Sequence, residues 1–332
     1  MITFIKKIYH QVIRKYFGSP RLFNAIKARK QSFITIVPRP KFAKDFFRHS
    51  DDASKHTPFA IVIQGKSVLV DSFTAETVKI YQKSFVGSII IVTTHEGADS
   101  PECLKELQDL GVNLVVIPKP ANPGPFNINL QITSSVAGLK EAKRLGFQYA
   151  IKTRTDIRLY GVNISEYLFN LLRQFPVVSG TKQQERIIST NIFTLKYRPY
   201  SLSDMTVAGN VDDLLLYFDI PLDNRKVINL PTNSLVDDFV RERPGELYLE
   251  TEFLKKIGYH PTGTLEDSWQ IFADHFIVID HDSLDSYWYK NDIYQCLENK
   301  FRIYTPEFGL HDLCFRDWFN LYCKFCKNKN GS

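Results

Sequence analysis

Lys152, Arg154 and Asp156 alternate at spacing two in the stretch YAIKTRTDIRLYG, residues 149–161. Tyr149, Ala150 and Ile151 read as the end of a buried strand, and alternate residues of a strand share a face. Two cations and an acid there suit an anionic ligand: the cations would meet phosphate oxygens, and the aspartate would ligate a divalent ion carried in with them. Arg158 adds another charge nearby. The set fits the departure of a nucleoside diphosphate, because stabilising developing negative charge is often the largest catalytic contribution. The plainer reading is that Arg154 and Asp156 pair with each other and with surface groups.

The elements that must hold these residues form a series. HTPFAIVIQGKSV reads as a short buried strand, Phe59 to Ile63, stopped by Gln64 and Gly65. SIIIVTTHEG gives a second, Ile89 to Val92, running into Thr93, Thr94 and His95, and NLVVIP a third, Asn113 to Pro118. Between them the pattern predicts helices: one with Thr74 as N-cap, one over Pro101 to Leu110 stopped by Gly111, and one from about Asn129 to Leu145 stopped by Gly146. Apolar strands alternating with helices predict an α/β fold with a mainly parallel sheet covered on both faces, whose ligands bind beyond the carboxyl ends of the strands. The polar residues gather at those ends.

The second half is less regular. It holds a loop carrying Asp204, a short helix capped near Asn210, a helix with Glu246 in its first turn and Gly258 at its end, and a last apolar strand, Phe276 to Ile279, leading into His281 and Asp282.

The chain of 332 residues has a net charge of +6, unevenly spread. Residues 1–48 hold twelve Lys or Arg against the single acid Asp45, which leaves the body acidic and a poor candidate for wrapping nucleic acid. In this arm, residues 1–50 in our division, Ile2, Ile5, Ile8, Tyr9, Val12, Ile13 and Tyr16 recur at helical spacing with lysines interleaved, which suits either an interfacial amphipathic helix on an anionic membrane or a helix packed on the body. No apolar run nears the roughly 18 residues that span a bilayer, and no secretory signal pattern is visible, so a cytoplasmic protein is expected, peripheral on the membrane if the arm binds it. Residues 51–300 would form the main domain and 301–332 an aromatic and basic extension. Cys103, Cys296, Cys314, Cys323 and Cys326 are too few and scattered for a disulfide framework, and the lone CxxC lacks a second pair for structural zinc.

No P-loop, G-x-G-x-x-G, G-x-S-x-G or H-E-x-x-H occurs, which argues against the familiar nucleotide hydrolases, dehydrogenases, serine esterases and zincins. The segments IVIQG, TTHEG, NINLQITSSVAGLKEA, YAIKTRTDIRL, RPYSLSDMTVAG and GELYLETEFLKKIG, in that order, resemble the WavE lipopolysaccharide-synthesis family over roughly residues 58–290. N-x-N-x-Q followed by a helix and KTRTD is the most specific part. The resemblance implies a GT-A-like bacterial glycosyltransferase: a Rossmann-like domain that binds a nucleotide sugar, with Mn²⁺ or Mg²⁺ on an Asp-x-Asp signature, acting on a lipopolysaccharide core or capsular glycan. This sequence departs from that signature, since Arg154 stands where the first Asp would and only Asp156 remains. Either Asp156 binds the ion alone among side chains, or Arg154 and Lys152 take over charge neutralisation.

By the same resemblance Gln64, Gly65, Thr93 and Thr94 would line the nucleotide end, with Asn127, Asn129 and Gln131 closing over it; amides both donate and accept, as a base edge or sugar hydroxyls require. A transferase that inverts needs a general base, for which Asp204 and Glu246 are the candidates, with Glu250 one helical turn after Glu246. Asp282 is a lower-ranked candidate as a late metal or phosphate ligand. Trp269, Tyr287, Trp288, Tyr289, Trp318 and Tyr322 are candidates for stacking on acceptor sugars or for core positions. The alternatives are an inert glycan-binding or scaffold protein of the same fold, and a nucleotidyl- or phosphotransferase using the strand-end aspartate.

Overall fold

The computed structural model describes residues 39–47, 57–226, 228, 230, 236–291 and 311–326. The amphipathic helix expected in the basic arm, and Cys296, lie outside them. From Lys41 onward these residues belong to one compact unit, Lys41–Ser332.

The strands are β1 (Phe59–Gln64), β2 (Ile90–His95), β3 (Asn113–Ile117), β4 (Tyr149–Arg154), β5 (Ile157–Leu159), β6 (Ile187–Thr190), β7 (Val207–Asn210), β8 (Phe276–Ile279) and β9 (Ser286–Trp288). The helices are α1 (Phe73–Ser84), α2 (Pro101–Asp109), α3 (Ile128–Arg144), α4 (Ile164–Gln174), α5 (Val211–Phe218), α6 (Val236–Glu242), α7 (Glu246–Lys256), α8 (Leu265–His275) and α9 (Phe315–Phe325). Seven strands form one sheet in the order β3-β2-β1-β4-β7-β6-β8. Only β7 runs against the rest, antiparallel to both β4 and β6. The sheet is therefore mainly parallel, as the alternation of elements predicts.

The apolar runs are strands, and all but the half-buried β3 are buried on both faces. Every residue of β1 and β2 is buried, which explains why they read as continuous hydrophobic stretches and not as alternating ones. Each such Ile or Val removed from water contributes about 1.5–3 kcal/mol before entropy is counted. Helix α3 lies on β1 and β2 at close range through Gly138, where a Cβ would come within 2.3 Å of Val62 Cγ1 and 2.9 Å of Thr93 Cγ2. Among the described residues no helix is long and apolar enough to cross a membrane.

Helix ends follow local chemistry with one correction. Ser100 accepts from Cys103 N at 3.3 Å to cap α2, and Asn210 accepts from Asp212 N at 2.8 Å to cap α5. Thr74, expected as a cap, lies inside α1; its Oγ1 accepts from Val68 N and donates to the Thr155 carbonyl, tying the helix start to the end of β4. The hydroxyl found partners across the fold that a local reading does not see.

The antiparallel β7 matters for the site. Lys152 of β4 pairs in register with Val207, so the loop that precedes β7, with Asp204, arrives at the carboxyl end of β4. A separate ribbon pairs β5 with β9, Ile157 opposite Trp288. Two segments far apart in sequence thus converge on KTRTD.

Candidate functional site at the carboxyl end of β4

Strand β4 closes at Arg154, and a turn over Thr155 and Asp156 separates it from β5. Lys152 and Arg154 share a face, but Asp156 belongs to the turn, which corrects the expectation of three charges on one strand face. Lys152 is fully buried, donates to the Asp204 backbone carbonyl, and lies 5.2 Å from the centre of the Phe218 ring. Burial pushes its ammonium down to about 8, and the neighbouring Asp204 works against that fall. It underpins the site and does not open onto it.

Asp156 is 2% exposed. Arg154 grips it with two bonds, Nε to Oδ1 at 2.8 Å and Nη2 to Oδ2 at 2.9 Å, and Trp288 Nε1 donates to Oδ2 at 3.2 Å. Lys290 Nζ lies 3.2 Å from the same oxygen. Burial opposes ionisation, yet the Arg154, Lys290 and Trp288 contacts together hold this carboxyl below the usual aspartate range. The charge is fixed and already neutralised. A divalent ion at Asp156 would have to displace a guanidinium or settle beside two cations, and among the described residues no three of His, Cys, Asp and Glu converge as a ligand set. The side chains present do not fit the metal that the resemblance implies.

Further acids lie within reach of the same cations. Asp204 is 3% exposed, with Oδ2 lacking a hydrogen-bond partner, and its charge bears on Lys152, Arg154 and Glu246. Glu246 opens α7 behind Gly245, whose φ of 51° turns the chain into the helix. Desolvation and then the Asp204 charge push Glu246 up to about 7, against the pull of Arg198 and Arg154. One turn on, Glu250 is fully buried; its Oε2 accepts from Leu202 N at 3.0 Å and burial pushes it up to about 8. Burial favours the protonated form of Glu250, and through its bond to Leu202 N it holds the loop that carries Asp204.

The strand ends and α3 divide into tied and available groups. Gln64 Oε1 accepts from Ser134 Oγ at 2.9 Å, and Gly65, at φ 118°, donates its N–H to the Thr93 carbonyl at 3.0 Å. Thr94 Oγ1 is spent on Asp99 at 2.6 Å. Asn129 is completely buried and holds two loops together, donating to the Asn122 and Asp223 carbonyls and accepting from Asp223 N. Thr94 and Asn129 are tied in this way to other parts of the fold, and Gln64 is bonded through Oε1. Thr93 Oγ1 and Gln131 Nε2 are buried without partners, and Asn127 is exposed at φ 62°.

Other expectations fail for clear reasons. Arg158 is 1% exposed, bonded to Thr77, the Lys41 and Phe73 carbonyls and Tyr160, so it belongs to the core. Trp318 is fully buried and its indole N–H serves the Phe272 and Phe276 carbonyls, while Trp269 donates to Lys196 O. Asp282 is half-exposed beside His281, 3.4 Å from its ring. Sequence reading missed Lys290, the role of Trp288, and Arg198, whose guanidinium lies 4.0 Å from the centre of the Phe239 ring within reach of the Glu246 charge. Lys290 stands two residues after a tryptophan in SYWYKN, a weak signal on its own.

Among solved structures the chain is similar to a mannose-1-phosphate geranyltransferase from Thermus thermophilus, at 9% identity and a TM-score of 0.32, covering 49% of this chain and 60% of that one. It is also similar to a cytidylyltransferase from Leptospira borgpetersenii, at 12% identity and a TM-score of 0.35, covering 83% and 96%. No curated protein matches. The family model for WavE lipopolysaccharide synthesis matches residues 60–240, which span β1 to α6 and carry KTRTD and the Asp204 loop. With more than half of its length matched, the chain belongs to the WavE lipopolysaccharide synthesis family.

Proposed function

We propose that this protein is a nucleotide-sugar-dependent glycosyltransferase that moves a sugar from a nucleoside diphosphate to a lipopolysaccharide core or capsular glycan. The observation that supports this reading best is Glu246, a half-buried carboxyl held at about 7 at the start of α7, whose charge acts on the cations that end β4. A general base works best when its pKa lies near the working pH, and a neighbouring carboxyl held protonated separates the two roles. In this reading Glu246 takes the proton of an acceptor hydroxyl, whose oxygen bonds to the anomeric carbon. The bond from that carbon to the diphosphate breaks, its electron pair leaves with the phosphate oxygen, and the cations at the end of β4 oppose the charge that develops there.

Asp204 keeps Glu246 basic by its charge, and Glu250 keeps Asp204 in place through Leu202 N. The basic segment of residues 1–48 would hold the enzyme against the anionic inner face of the cytoplasmic membrane, near a lipid-linked acceptor. Turnover of a panel of nucleotide sugars tests the reading: release of nucleoside diphosphate that Glu246→Gln suppresses in a folded protein supports it. Release that survives this substitution removes Glu246 from the mechanism.

A further inference from the structure

Asp156 sits beneath two cations that point outward. Its side chain is 3% exposed, whereas that of Arg154 is 25% and that of Lys290 61% exposed. Both cations keep donors in hand. Arg154 spends Nε and Nη2 on the carboxylate and makes no hydrogen bond to a described residue through Nη1. The Lys290 ammonium, with three protons, contacts Asp156 Oδ2 and no other described carboxylate. Among the described residues Asp156 is the one carboxylate in contact with both cations; the Asp204 and Glu246 charges also bear on Arg154, which leaves Lys290 as the more exposed excess charge.

Lys290 is not a loose surface partner. The β5–β9 ribbon sets Trp288 opposite Ile157, Tyr289 N donates to the Asp156 backbone carbonyl at 2.8 Å, and the Trp288 indole donates to the Asp156 carboxylate. Three successive residues, Trp288, Tyr289 and Lys290, therefore address one aspartate, from 132 positions away in sequence for Trp288. Arg198, within reach of the Glu246 charge, is a further cation near the acids. An arrangement built to keep two cations on a buried anion, with donors left over, matches the two phosphates of a diphosphate better than it matches a metal ion.

We propose that Arg154 and Lys290, seated on Asp156, neutralise the donor's diphosphate in place of a divalent ion, so that donor binding is independent of metal. This rests on the reading above that a nucleoside diphosphate occupies the crevice. Asp156 is then a positioning residue, and it acts only through the two cations.

Calorimetric titration of UDP, GDP and CDP into the full chain, in EDTA and again in Mn²⁺, tests the proposal, with Lys290→Ala and Arg154→Met alongside. Lys290 is the decisive position because its exposed side chain carries little of the fold. The expected result is that a nucleotide which binds does so equally in EDTA and in Mn²⁺, and that each substitution weakens it by about tenfold or more. Binding that vanishes in EDTA and returns with Mn²⁺ overturns the metal-free assignment and leaves the transferase reading standing. Binding that neither substitution changes overturns it as well. If none of the three nucleotides binds the folded protein under either condition, the transferase reading falls and this assignment with it.

Discussion

Asn129 and Asp223, 94 residues apart, exchange a pair of hydrogen bonds: the amide Nδ2 donates to the Asp223 carbonyl at 2.8 Å and Oδ1 accepts the Asp223 N–H at 2.7 Å. The side chain imitates a strand partner, and it fastens the loop after α5 to the start of α3. Asn129→Ala leaves buried backbone groups unpaired, and we expect a loss of about 2–4 kcal/mol in urea unfolding. A loss below about 0.5 kcal/mol would show that the loop is held by other contacts.

Glu250 makes stability depend on pH. Its folded value is about 8, while an unfolded glutamate titrates near 4.3, so the unfolded chain loses this proton first as pH rises. The folded state then binds more protons, and the stabilisation present at low pH is lost between about 4.3 and about 8. Glu250→Gln keeps an acceptor for Leu202 N without the titration. The thermal midpoint of the wild type relative to this variant should fall steadily across that window, and a constant difference from pH 5 to 8 contradicts the assignment.

Glu246 should govern the acid limb of the rate profile. The base is active when deprotonated, so kcat/KM for the turned-over donor should rise with pH through a value near 7. Glu246→Gln should lower turnover by about 10²–10⁴-fold and abolish that limb. Asp204→Asn removes the neighbouring charge that raises Glu246, so the limb should move to lower pH. A limb that stays in place shows that desolvation alone sets the value.

Strands β1, β2 and β4 were legible because burial on both faces forces continuous apolar runs, β3 was legible as an apolar run although it is only half-buried, and KTRTD stood out because charges follow such a run without a break. Local spacing does not reveal what the charges meet. Lys152 points into the core toward Asp204, and Arg158 does the same toward Phe73 and Thr77, because tertiary partners 52 to 85 residues away satisfy them. Asn129 and Thr94 looked like ligands for the same reason: a polar side chain next to a crevice reads identically whether it faces a nucleotide or a backbone. Lys290 and Trp288 could not be found by spacing, since the β5–β9 pairing alone brings them to Asp156.

Gly138 tests the packing that carries the sheet ends. A methyl group there would overlap Val62 and Thr93, both in strands buried on two faces. Gly138→Ala should destabilise by about 1–3 kcal/mol or more despite the better helix propensity of alanine, seen as a lower urea midpoint with an unchanged slope. A stabilised variant would mean that α3 can lift off the sheet at little cost.

The reaction proposed for this site breaks the bond between a sugar and a nucleoside diphosphate. Phosphorus NMR of the full chain incubated with UDP-, GDP- and CMP-linked sugars, with Glu246→Gln as the control, follows that bond directly. One donor of the diphosphate type is expected to yield its nucleoside diphosphate, and the substitution to slow the release. Pyrophosphate or a sugar phosphate as product, or no product from any donor with a folded protein, contradicts it.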